Sequence, residues 1–150
     1  MNSILPKTID NNYKGRKIAL YFFSLLTVVT IVRSLIHMFS PDGGAQSIAT
    51  IPLDTYSAAA ASTVILIFAL WGLSQLLMGV VFAIVAIRYK SLIPLMYLFI
   101  ITEYVFRIIL GSLKPIVTTG VAPGEIANLI LIPLALVLFF LSVYKPRSSS

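Results

Sequence analysis

Residues 57–87 read SAAAASTVILIFALWGLSQLLMGVVFAIVAI, an unbroken apolar stretch with no charged side chain before Arg88. A helix crosses the hydrocarbon core of a bilayer with about 20 such residues. This stretch is longer, so the helix tilts or its alanine-rich start, residues 57–62, lies outside the lipid. Three further stretches of the same kind surround it. One lies upstream at about 18–39, interrupted by Arg33 and His37, and two lie downstream at about 91–113 and 125–144, the last introduced by Pro123-Gly124. A transmembrane barrel would instead show strands of about 10 residues with alternating polarity. The expected fold is all-α: an integral membrane four-helix bundle forming one domain over residues 1–150.

Composition agrees. The 150 residues are 59% hydrophobic and 11% charged, with a mean hydropathy of +0.99. Soluble domains run at roughly 45–50% apolar and about 25% charged, so a soluble domain is excluded, as is disorder, which needs the opposite bias. There is no cysteine and one histidine, His37. Disulfides, thiolate nucleophiles, iron–sulfur clusters and multi-histidine metal centres are thereby ruled out, and no cofactor or metal is expected.

The net charge of +6 points to membrane orientation rather than to nucleic acid. Lys7, Lys14, Arg16, Lys17, Arg88, Lys90, Lys145 and Arg147 fall on one side of the four spans, and the other side holds Lys114 with Asp42, Asp54 and Glu125. Cytoplasmic loops carry the basic excess, so both termini are expected in the cytoplasm. Arg33 at the end of the first span, with no small-residue cleavage site close behind, makes that span a retained helix and not a signal peptide. The tight Arg88-Tyr89-Lys90 turn predicts an antiparallel hairpin of spans two and three. Both outer loops are rich in turn residues, and Ile48, Ile51 and Leu53 give the first one apolar anchors for an ordered cap. Residues 1–15 and 148–150 read as solvated ends. The arginine-to-proline spacing is the same in Arg33…Pro41 and Arg107…Pro115, a faint sign of two related helical hairpins.

Polar residues inside the spans are the informative feature, because a charge at mid-bilayer costs about 2.5–3.5 kcal/mol on insertion scales. Depth follows from counting at ~1.5 Å per residue from each span's basic anchor. Arg33, Arg107 and Asn128 then lie at about 24–26 Å, Gln75 and Glu103 at about 20 Å, and His37 at about 30 Å near the outer interface. All four spans contribute to one slab in the outer half of the bilayer. Glu103 and Arg107 are i, i+4 on one face, with the acid first, the better order. Glu103 is expected within salt-bridge reach of Arg107 and approached by Arg33, which requires span one to pack on span three. Two arginines against one glutamate leave a charge of +1 with His37 neutral. Small residues at Gly72, Gly79, Ala83 and Ala86 share a face with Gln75 and suit close helix packing. Trp71 reads as a packing residue.

Arg33, His37, Gln75, Glu103, Arg107 and Asn128 are therefore the candidate ligand-binding residues. They suit a net-positive pocket for an anionic or amphipathic ligand, such as a lipid headgroup, a small metabolite or an inorganic anion, with the protein acting by binding or as an accessory in a membrane complex. The same residues also suit a structural role, fixing register between helices. A small homo-oligomeric transporter or channel is the alternative, although residues 77–87, 92–102 and 132–140 are nearly all apolar. An intramembrane enzyme using Glu103 as acid–base is the third reading, and no catalytic set or phosphate loop accompanies it. Glu103-Tyr104-Val105-Phe106-Arg107 and Gly72-Leu73-Ser74-Gln75 carry a resemblance. Over its whole length the chain resembles the small four-helix membrane proteins of bacteria that have no assigned function, loosely the DoxX-like group. The resemblance implies a bacterial cytoplasmic membrane.

Overall fold

The computed structural model describes residues 4–144. The fold is all-helical, with α1 Lys17–Phe39, α2 Ala58–Arg88, α3 Ile93–Leu113 and α4 Pro123–Val143, and short 3-10 turns at Leu53–Thr55 and Lys90–Leu92. All four helices are long and apolar enough to cross a membrane. Local chemistry sets their starts. The Ser57 hydroxyl accepts from Ala60 N–H at 3.3 Å and caps α2. Pro94 and Pro123 occupy first-turn positions of α3 and α4, where the missing N–H costs nothing. For that reason α4 begins two residues earlier than the hydropathy pattern suggests. It continues unbroken through Pro133.

The helices pair differently from expectation. α1 packs broadly on α2 and α3 on α4, while α2 and α3 touch at few points despite the tight turn that joins them. The chain thus groups into two hairpins, α1–α2 and α3–α4, with α1 also reaching α4. The α1–α2 seam is close because of small residues. A Cβ on Gly72 would meet His37 Cβ at 2.8 Å and the Ser34 carbonyl oxygen at 3.0 Å. The buried stripe of α2 runs Gly72, Gln75, Gly79, Phe82, Val85. Ala83 and Ala86, expected on this face, are only half-buried; the stripe turns toward Phe82 because Phe23 of α1 meets it edge-on at 5.5 Å. Phe23, Phe82, Tyr97, Met96, Ala135 and Leu138 form the main apolar core. It fills the half of the bundle that carries the N-terminal tail and the α2–α3 turn, called here the terminal end. There α1 meets α3, and the Tyr97 hydroxyl donates to the Ala19 carbonyl at 2.6 Å.

The tail is not a free solvated end among the described residues. Asp10 N–H donates to Ser91 Oγ at 3.0 Å, and Ser91 N–H donates back to the Asp10 carbonyl at 3.2 Å. Arg16 N–H donates to the Leu141 carbonyl at 2.9 Å, and Tyr13 is half-buried against the main core. A strap therefore crosses the terminal end from the α2–α3 turn to α4. Residues 148–150 lie outside the described residues.

The opposite, loop end is closed by the segment between α1 and α2. Ala45, Ile51 and Leu53 bury against Ala61, Val64, Ile65 and Phe68 of α2. Ile51 and Leu53 are the expected anchors, and Ala45 takes the place given to Ile48. Gly43 and Gly44 turn the chain with φ of +60° and +74°, a region that suits glycine. The Asp42 carboxylate accepts from the N–H groups of Gly44 at 2.9 Å, Gln46 at 3.1 Å and Ser47 at 2.6 Å. Thr50, at φ +56°, is held in that uncommon conformation by the loop between α3 and α4: its hydroxyl donates to the Gly120 carbonyl at 2.8 Å and its carbonyl accepts from Thr119 N–H at 2.9 Å.

Two expected outcomes follow. Gly72→Ala forces α1 and α2 apart and should destabilise by about 1–3 kcal/mol, the cost of overpacking. Gly111→Ala, with nothing within 4 Å of the new Cβ, should be neutral or stabilise by up to about 1 kcal/mol; thermal melts in detergent compare the two. Partial burial pushes the Asp42 carboxyl up, but its hydrogen bonds to Ser47 and Gly44 outweigh that and lower it from 3.8 to about 2. The folded-state value is depressed, so the stability it contributes is present above 3.8 and lost as pH falls through about 2. Hydrogen exchange at Gly44, Gln46 and Ser47, corrected for intrinsic rates, should quicken across that interval in the wild type. In Asp42→Ala it should be fast at every pH.

Candidate functional site

The loop half of the bundle holds the polar side chains, on three helices. Arg33 of α1 donates from Nη2 to Gln75 Oε1 of α2 at 2.6 Å. Gln75 donates from Nε2 to Glu103 Oε1 of α3 at 2.7 Å. Arg107, one turn further along α3, donates to the same oxygen from Nε at 3.1 Å and again from Nη2. The result is one continuous chain, Arg33–Gln75–Glu103–Arg107. It crosses the gap between α2 and α3 where the backbones stay apart. The i, i+4 pair on α3 forms as its spacing predicts.

Aromatic rings back this chain. Trp71 lies one turn before Gln75 on α2, so the two share a face. Its ring centroid is 5.6 Å from the Arg33 guanidinium carbon and 5.0 Å from that of Arg107. Arg107 also lies 5.2 Å from the Tyr104 ring. A desolvated guanidinium over an aromatic face gains about 2 kcal/mol or more. His37 and Phe68 extend the cluster, with centroids 4.7 Å and 5.9 Å from Trp71.

The structure redistributes the candidate residues. Arg33 does not approach Glu103 directly: α1 touches α3 at few points, mostly in the apolar core, and the Gln75 amide fills the distance between the two charges. His37 is buried, yet it serves the loop. Its Nδ1 lies 2.7 Å from the Gly43 carbonyl, which only accepts, so Nδ1 carries the proton. Asn128 on α4 joins none of these hydrogen bonds. Trp71, expected only to pack, and Tyr104 belong to the site.

Three features make the cluster chemically unsaturated. All donors converge on Glu103 Oε1, so Oε2 takes no part in the chain. Arg33 Nε is the single buried side-chain nitrogen or oxygen without a hydrogen-bond partner among the described residues. The Arg107 and Glu103 side chains remain 21% and 33% exposed. Two guanidiniums against one carboxylate leave the cluster a net charge of +1.

No family model, curated protein or solved structure matches the chain. The assignment of the site therefore rests on these side chains.

Removing one partner of a paired charge costs more than removing both. Glu103→Leu should lower the melting temperature in detergent more than Arg107→Leu does. Adding Arg107→Leu to it should recover most of the loss. Arg33→Leu should cost less than Glu103→Leu, since it leaves the Glu103–Arg107 pair intact. Equal, negligible shifts in all of these variants would mean the chain holds nothing together.

Proposed function

We propose that the protein is a multi-pass membrane protein with both ends of its chain in the cytoplasm, and that it binds the anionic group of an amphipathic ligand in the outer half of the bilayer. The carrying observation is the Arg33–Gln75–Glu103–Arg107 chain, with its net positive charge and its partly open Arg107. An accessible guanidinium, planar and always charged, suits a carboxylate or phosphate. Beside it the lipid-facing surface of α2 and α3 offers apolar contact to a chain. Orientation is supported by Lys7, Lys14, Arg16, Lys17, Arg88 and Lys90 at the terminal end, against Lys114 at the loop end. Lys145 and Arg147 lie outside the described residues. The resemblance to DoxX-like proteins would make the membrane a bacterial cytoplasmic one.

Binding is favoured over the two alternatives. A path for transport within one chain needs polarity that continues to the terminal end, where Phe23, Phe82, Met96 and Tyr97 are packed instead. Acid–base chemistry at Glu103 needs a second reactive group beside it. His37 is turned away toward Gly43.

Trp71 is the sole tryptophan and lies against both arginines, so its fluorescence reports on the site. In bilayers, a fatty acid brominated near its carboxylate should quench Trp71 at concentrations where the brominated methyl ester does not. Arg107→Leu should abolish that selectivity. Equal quenching by acid and ester in the wild type would overturn the reading. Competition by a short-chain carboxylate or phosphate ester would separate a soluble metabolite from a lipid.

A further inference from the structure

We infer that the terminal end carries a second anion site, a cleft of about 360 Å³ between the N-terminal strap and the start of α3, which binds a phosphate group through Lys7, Lys14 and Lys90.

The cleft is built rather than incidental. Besides the two bonds between Asp10 and Ser91 already described, the Ser91 hydroxyl donates to the Asp10 carbonyl at 2.9 Å. With Arg16 tied to Leu141 at the other end, the strap is fixed at both of its edges. The Tyr13 hydroxyl donates to the Arg16 carbonyl at 3.1 Å and stiffens the span between them. These bonds hold the stretch that carries Lys14, and Lys7, Lys14 and Lys90 all line the cleft.

The charge in the cleft is unbalanced. Among the described residues Asp10 is its one carboxylate, and Asp10 Oδ1 already accepts from Asn12 N–H at 3.0 Å. No ion pair or hydrogen bond engages the three ammonium groups among the described residues. Burial pushes the Tyr13 phenol up to about 12, and like any phenol it adds no charge at physiological pH. Three lysines against one aspartate leave a charge of +2. A phosphate monoester carries about −1.5 to −2 at neutral pH and matches it, whereas a carboxylate does not. The volume falls within the range of small-molecule sites, roughly 300–1,000 Å³. The cleft also lies where apolar helices end, at the level of lipid headgroups in the membrane reading. The phosphate therefore comes from a lipid headgroup or from a free phosphate ester.

The test uses the full chain in neutral detergent, with thermal melting read against added phosphatidic acid, phosphatidylcholine or glycerol phosphate. Phosphatidic acid should raise the melting temperature, and phosphatidylcholine should not. Lys90→Gln should weaken the response about fivefold, and the Lys7→Gln, Lys14→Gln, Lys90→Gln triple variant about a hundredfold, at roughly fivefold per lysine. Arg88→Gln removes a charge from the same end outside the cleft and should leave the response intact. A response to glycerol phosphate, lost in the same variants, would identify the free ester as a ligand. No response to either phosphate, a response that survives the triple variant, or equal losses in Lys90→Gln and Arg88→Gln would overturn the site. The paired Glu103→Leu, Arg107→Leu variant should keep the full response, which separates this cleft from the polar chain in the other half.

Discussion

One amide side chain, Gln75, joins charges on helices that barely touch. In lipid the hydrophobic effect offers no reason for apolar helices to associate, so close packing and interhelical hydrogen bonds must hold them. Between α1 and α2 the first device operates, through Gly72 and Gly79. Between α2 and α3 there is little backbone contact, and the second device takes over. Gln75 accepts from Arg33 with one end and donates to Glu103 with the other. A residue with only donors or only acceptors cannot do both. A lysine or a glutamate at position 75 would face one partner of its own charge.

The two ends of the bundle are consequently held by different physics. The terminal end is an apolar core of interlocking rings from α1, α2 and α3, sealed by the strap. The loop end is polar and is covered by the α1–α2 loop. Phe68 links that cover to the site, since it packs on the cap cluster and also against His37 and Trp71. His37 makes the same connection from α1, with its ring against Trp71 and its Nδ1–H on the Gly43 carbonyl. A change in the arginine cluster is therefore two contacts away from the α1–α2 loop.

The four helices were legible because a continuous apolar stretch of that length, if it crosses lipid, has the helix as its one stable solution there. The shared depth of Arg33, Gln75, Glu103 and Arg107 was legible too, since residue counting measures height along a helix. Counting does not measure rotation about the axis, nor which helix lies beside which. Asn128 joins none of the hydrogen bonds of the polar chain, His37 sits a turn from Arg33 and serves the loop, and Arg33 meets Gln75 in place of Glu103. Trp71 was hidden for the same reason: an isolated aromatic in a span looks like packing until its neighbours are known. The docked strap had no hydropathy signal at all. It depends on backbone bonds to Ser91 and Leu141, which composition does not encode.

The most direct measurement is a double-mutant cycle between Gln75 and Glu103, using Gln75→Leu, Glu103→Leu and the pair, with unfolding free energies measured in bilayers. If the amide carries the α2–α3 connection, the two changes must be non-additive, with a coupling at or above the average of about 0.6 kcal/mol, and up to about 1.7 kcal/mol, found for interhelical hydrogen bonds in membranes. Strict additivity would mean that α2 and α3 are held together without Gln75, and would contradict the polar chain as the element that organises the loop half.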